Sequence, residues 1–113
     1  MGLSQDLAKG STVPIVLSLL NERPMYGYEI VKVVNARTGG RFQWKEGTLY
    51  PTLHSLQAGG FVAAEWSPEP ADGSPGRKRK YYHITAKGMQ ELTRRTAEWC
   101  QFSAAFNACL MGA

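Results

Sequence analysis

Between Glu46 and Phe61 the chain reads EGTLYPTLHSLQAGGF, and the polar residues in it are of a restricted kind. Leu49, Leu53 and Leu56 recur at helical spacing and mark a buried face. The opposite side then holds Pro51, His54, Ser55 and Ala58, with Thr52 at its flank and Thr48 at its start. A helix facing only water would carry Glu, Lys and Arg there. Short neutral donors and acceptors suit base edges and phosphates, from which carboxylates would be repelled. A second group able to do chemistry is the run Arg77-Lys78-Arg79-Lys80, whose cations can contact phosphates. Strand alternation sends Arg77 and Arg79 to one side and Lys78 and Lys80 to the other, so not all four can face the same groove, and at least two of them are expected to contact phosphates. Lys45 and Arg41, just ahead of the leucine-faced helix, add to the same positive field, and the Tyr26 hydroxyl can donate to a backbone phosphate.

The sequence offers little else that could react. It has no nucleophile–base pairing, no phosphate-cradling glycine loop and no cluster of carboxylates, which argues against an enzyme. His54 and His83 are far apart and the cysteines lie elsewhere, so neither a metal site nor a cofactor is expected. Cys100 and Cys109, nine residues apart on one helix, would be about 13 Å apart along its axis and cannot bridge each other. They read as small buried hydrophobes or, alternatively, as thiols between subunits.

Three helical patches, a hairpin and a last helix must position these groups. Residues 12–20 form the first patch, with Ile15, Val16, Leu19 and Leu20 on its apolar face. Residues 28–35 form the second, with Ile30, Val31, Val33 and Val34, and Tyr28 is expected in the core. Gly39-Gly40 and Gly59-Gly60 read as helix stops. Residues 42–44 are extended and lead into the third helix. Pro51 is tolerable there if Thr48 is the N-cap; a start near Lys45 would place the proline inside the helix and bend it. Residues 61–66 and 80–84 are β-rich segments, and between them SPEPADGSPGRKR is a long loop of turn formers. This order, three helices and then a two-stranded wing, is that of a winged helix-turn-helix, whose third helix enters the DNA major groove. The expected fold class is therefore mostly α (α+β), with a DNA-binding domain over residues 1–84 and a C-terminal dimerisation helix over residues 85–113.

The last helix makes a separate case for self-association. Met89, Leu92, Trp99, Phe102, Phe106 and Leu110 recur at helical intervals, and residues 100–113 contain no charged side chain. Such an end belongs against another subunit, and two-fold symmetry would set two recognition helices about one DNA turn apart on a palindromic site. A chain of 113 residues with formal charge +4 and pI about 9.3 accommodates one small core and favours a polyanionic partner. Its longest apolar run, residues 13–20, is far short of the roughly 20 residues of a spanning helix, and nothing resembles a signal peptide. No membrane partner is expected, and the free cysteines fit a reducing cytoplasm.

Four blocks carry a family resemblance: Tyr26-Gly27-Tyr28-Glu29-Ile30, Gly47-Thr48-Leu49-Tyr50-Pro51-Thr52-Leu53, Gly60-Phe61-Val62, and Arg79-Lys80-Tyr81-Tyr82-His83-Ile84-Thr85-Ala86-Lys87-Gly88. In order and spacing they resemble the PadR family of bacterial transcriptional regulators. The single C-terminal helix is similar to the compact branch of that family. The resemblance implies a winged-helix homodimer that binds double-stranded operator DNA, usually as a repressor, and is released by a small molecule. It further implies that Trp99, with Phe102 as a partner, lines a cavity at the dimer centre where a planar aromatic effector stacks. The plainer role of both residues is to anchor the interface with Leu92, Phe106 and Leu110. The alternative function is a winged-helix protein-interaction module whose basic wing serves only solubility.

Overall fold

Residues 9–67 and 79–112 are described by the computed structural model. Arg77 and Lys78, and with them the acidic wing tip from Glu69 to Asp72, lie outside the described residues.

Helix α1 (Thr12–Glu22) is apolar over most of its circumference, burying Val16, Leu17, Leu19 and Leu20. Its buried stripe is wider than expected and shifted: Leu17 is fully buried, whereas Ile15 is only half-buried. The cause is that α1 runs through the middle of the molecule, in contact with helices on two sides and with the sheet.

After Pro24 the chain forms a two-residue strand, β1 (Met25–Tyr26), and then α2 (Gly27–Arg37). The core face of α2 is Gly27, Ile30, Val31 and Val34, the i, i+3, i+4, i+7 series. Tyr28 falls outside that series. It is 51% exposed, not in the core as the sequence suggested, and Lys32 lies one turn on with its ammonium 5.6 Å from the ring centroid.

Both double glycines stop helices by the same device. Gly39 and Gly60 take positive φ (+60° and +80°). The next amides, of Gly40 and Phe61, donate back to Asn35 (2.7 Å) and Leu56 (2.9 Å). These are Schellman closures, which need a left-handed residue at the position glycine tolerates best.

Helix α3 (Glu46–Ala58) buries Leu49, Leu53 and Leu56. It begins at Glu46 with Lys45 in the capping position, so Thr48 is inside the first turn and is not the N-cap. Pro51 therefore sits within the helix and cannot donate to the Gly47 carbonyl, yet helical structure runs unbroken through it. Gly47 is exposed, so water can take the place of the missing donor.

Strands β2 (Val62–Trp66) and β3 (Lys80–Ile84) pair antiparallel, with Ala64 opposite Tyr82 and Trp66 opposite Lys80. The sheet has three strands rather than the two of a plain hairpin. β1 adds to the free edge of β3, with Met25 opposite Tyr82 and Tyr26 opposite Tyr81, giving the order β1-β3-β2. One face of the sheet, carrying Met25, Val62 and Tyr82, closes the core. The other carries Tyr26, Tyr81, Arg79 and Glu65, which follows from strand alternation in this register.

Thr85 caps the last helix, α4 (Ala86–Met111), accepting from the Gly88 amide at 3.1 Å and donating toward the Gly60 (2.7 Å) and Phe61 (3.0 Å) carbonyls. One hydroxyl thus ties together the ends of α3, β2 and β3. α4 is two-sided by length: Leu92 packs on the core, whereas every described side chain from residue 100 onward is exposed. Among the described residues no helix is long and apolar enough to cross a membrane.

Candidate nucleic-acid interface

The position of α3 depends on the loop before it. Asn35, in the last turns of α2, clamps that loop with both ends of its amide. Its Nδ2 donates to the Trp44 carbonyl (3.0 Å) and its Oδ1 accepts from the Trp44 amide (2.7 Å). The side chain thereby imitates a strand partner and holds the residue two positions ahead of α3, while the Trp44 ring is buried in the core. Sequence reasoning missed Asn35; the sole local signal was a polar residue among valines.

With α3 so fixed, its outward face is as the leucine pattern requires. Thr48, His54 and Ser55 are exposed, as are Pro51 and Ala58, and Thr52 is half-buried at the flank. Lys45 is exposed at the start of the helix. Tyr50 turns inward: its hydroxyl would lie 2.7 Å from a Cβ placed on Gly27, which is why a glycine opens α2. Burial raises the Tyr50 phenol above its ordinary value, with further contributions from Glu46 and Tyr82, so it stays neutral. The His54 ring stands 6.3 Å from that of Tyr50.

The sheet brings Tyr26 and Arg79 together, two candidates from distant parts of the sequence. The Arg79 guanidinium lies 4.5 Å from the Tyr26 ring centroid, and the Tyr81 ring meets Tyr26 edge-on at 5.5 Å and 76°. Tyr81 had no assigned role in the sequence. The Arg79 backbone is also fixed, donating to Ser67 Oγ (3.0 Å) and accepting from the Ser67 amide (2.7 Å). Lys80 points to the other face, its ammonium 5.5 Å from the Tyr82 ring. Four other described arginines pair with carboxylates: Arg23 with Glu29, Arg37 with Glu22, and Arg94 and Arg95 with Glu91. Arg79 pairs with none among the described residues.

The second candidate site, on α4, is assembled differently from expectation. Leu92 turns inward to its own core, because the first half of α4 lies along the body of the molecule. Trp99 is half-buried where α4 leaves that body. It contributes to an apolar groove of about 450 Å³, lined also by Pro14, Ile15, Leu19, Val34 and Phe42, and to a smaller one of about 280 Å³ bounded by Arg95, Glu98 and Phe102. Trp99 meets Phe102 edge-on at 5.8 Å, and Phe102 stacks with Phe106 at 6.1 Å and 9°. Phe102, Phe106 and Leu110 are 61%, 52% and 67% exposed. Cys100 and Cys109 are exposed in the single chain, not buried. Among the described residues, no group of three His, Cys, Asp or Glu side chains is placed to hold a metal ion.

A family model described as the transcriptional regulator PadR-like family matches residues 16–94. The chain belongs to that family. A transcriptional regulator of Clostridium thermocellum has the same fold at a TM-score of 0.83 and 31% identity, over 93% of this chain and 95% of that one. A PadR-like transcriptional regulator of Bacillus cereus superposes at 0.80 with 30% identity, over 96% and 99% of the two chains. In sequence, a protein of Lysinibacillus sphaericus described only as uncharacterised is 38% identical over 96 residues, which are 85% of this chain and 84% of that protein. PadR members are DNA-binding transcriptional regulators rather than enzymes, so this chain is a PadR-type regulator that acts on DNA. Its architecture, mostly helical with a winged three-stranded sheet and a C-terminal helix, is that of the PadR structures.

Proposed function

We propose that the chain is a homodimeric repressor of a palindromic operator, released by a planar aromatic effector. In this reading residues 1–84 form the DNA-binding domain and residues 85–113 the dimerisation helix. The face of α3 reads bases through His54 and Ser55, flanked by Thr48 and Thr52. Lys45, Arg77, Lys78 and Arg79 contact phosphates, with Tyr26 beside them. Trp99, Phe102, Phe106 and Leu110 join the two subunits, and Trp99 with Phe102 forms one wall of the effector site.

The observation that carries this reading is the exposed face of α3. It is free of charged side chains through Thr48, Pro51, His54, Ser55 and Ala58, while Arg79, with no carboxylate partner among the described residues, stands just before the wing strand β3. Neutral hydrogen-bonding groups beside unpaired cations are what readout of bases framed by phosphates requires. The exposed, charge-free end of α4 supports the dimer, since a monomer would leave Phe102, Phe106, Leu110 and Met111 in water.

The experiment is a gel-shift titration against the DNA upstream of the chain's own gene, at low and moderate salt with random competitor. Binding that survives competitor is expected. Arg79→Ala should weaken binding to all sequences and reduce the salt slope by about one. His54→Ala or Ser55→Ala should change which sequences are preferred and leave that slope alone. If the two kinds of variant behave alike, the division between base and phosphate contacts is wrong.

A further inference from the structure

We infer that Tyr26 and Tyr81 are positioning residues that preorganise Arg79 for the DNA backbone; this rests on the phosphate role proposed for Arg79 above. The three side chains form a column on the outer face of the sheet, with Tyr26 in the middle. Tyr81 meets the Tyr26 ring edge-on (5.5 Å), and the guanidinium lies over it (4.5 Å). Each layer is held by backbone as well as side chain. Tyr26 and Tyr81 are paired across β1 and β3, and Arg79 is doubly bonded to Ser67.

The chemistry of the contact matters. A guanidinium lying over a ring engages it through its π face, and its N–H groups point outward in its own plane, still available as a fork for phosphate oxygens. A carboxylate partner would occupy those same donors. Glu65 stands opposite Tyr81 on the same face of the sheet, within reach of an arginine at the neighbouring position. Yet Arg79 lies over Tyr26 and forms no ion pair with a described residue. The column therefore restricts the long side chain while leaving its hydrogen-bonding edge unspent. Preorganisation of this kind raises affinity without adding a contact. It also explains why a strand of two residues is present at all: β1 brings Tyr26, the residue before α2, alongside the wing.

The test uses the full chain and a random-sequence duplex, because phosphate contacts are independent of sequence. Affinity is measured by fluorescence anisotropy over a range of salt, and folding is checked by thermal unfolding. Removing the platform should lower affinity at every salt concentration without changing the slope, since Arg79 still reaches its phosphate. Tyr26→Leu and Tyr81→Leu should each weaken binding about threefold to tenfold, the range of an aromatic–cation contact. Tyr26→Phe, which keeps the ring, should lose less than Tyr26→Leu, and Tyr81→Phe should restore most of the Tyr81→Leu loss. In an Arg79→Ala background Tyr26→Leu should have no further effect. Arg79→Lys, which leaves the sheet intact and keeps the charge, should mimic Tyr26→Leu, so the test survives even if a tyrosine variant fails to fold. Equal losses for Tyr26→Phe and Tyr26→Leu would make the hydroxyl the contact and overturn the inference. So would additive effects of Tyr26→Leu and Arg79→Ala, or wild-type affinity for Arg79→Lys. If Arg79→Ala itself leaves affinity and slope unchanged, the phosphate role of Arg79 fails first and the positioning role with it.

Discussion

At Gly88 two parts of the backbone approach so closely that only hydrogen fits between them. A Cβ there would stand 2.1 Å from the Phe61 carbonyl oxygen and 2.7 Å from Ile84 Cγ1. The nearest atom is backbone, and Phe61 also accepts from the Thr85 amide at 3.1 Å, so neither side can give way without breaking the junction. Gly88→Ala is therefore expected to destabilise the fold by about 2 kcal/mol or more, despite the better helix propensity of alanine. Gly47 is the contrasting case. It lies in the first turn of α3 with nothing within 4 Å of its Cβ position, so Gly47→Ala should stabilise by about 0.5–1 kcal/mol. Urea unfolding of the two variants should move in opposite directions; similar shifts would mean that propensity, not the Phe61 contact, governs position 88.

Elements with a long local period were legible in the sequence, and those defined by distant partners were not. The leucines of α3, the glycine stops and strands β2 and β3 each announce themselves within a dozen residues. β1 does not: Met25 and Tyr26 are strand only because Tyr81 and Tyr82 pair with them, and two residues have no period to detect. The Tyr26–Arg79 contact was invisible for the same reason, although both residues had been singled out separately. Tyr28 was misplaced by one step of helical phase, its neighbour Gly27 having no side chain to mark the buried face. The start of α3 was uncertain because Lys45, lacking an acceptor, gives no capping signal; the Asn35 clamp on Trp44 fixes that boundary instead. α4 shows the converse, a local network that does report on an element. Arg94 and Arg95 hydrogen-bond Glu91 and hold its carboxyl down to about 2, against an ordinary value of 4.5. Because the folded value is the lower one, this stabilisation is present in full above the ordinary carboxyl range. It drains as pH falls from about 4.5 toward 2. The difference in urea midpoint between the chain and Glu91→Gln should thus stay constant from pH 7 to 5 and shrink below 4.5. A difference that persists unchanged to pH 3 would show that the pair contributes nothing through its charge.

For the whole molecule, the first half of α4 belongs to the body and the second half does not. Glu91, Arg94, Arg95 and Glu98 supply charge up to Trp99, where the helix leaves the body; beyond it Phe102, Phe106 and Leu110 stand exposed, and no helix residue after Glu98 is charged. The 450 Å³ groove at Trp99 opens beside the same departure point, so apolar surface continues from the helix onto α1. In the proposed homodimer this surface is covered by a second copy, and two-fold symmetry makes each substitution count twice. Phe106→Asp would remove an aromatic side chain, worth roughly 2 kcal/mol of burial per subunit, and set a carboxylate in its place. The dimer should weaken by at least about a hundredfold, read by sedimentation equilibrium. DNA binding should separate into two parts: affinity for an operator with both half-sites should fall steeply, while each wing and α3 keep their contacts with a random duplex. Spacing then becomes the deciding variable, because only a dimer cares how far apart the half-sites lie. If Phe106→Asp still discriminates between operators with half-sites one turn and one and a half turns apart, the subunits are joined elsewhere and the exposed strip on α4 has another use.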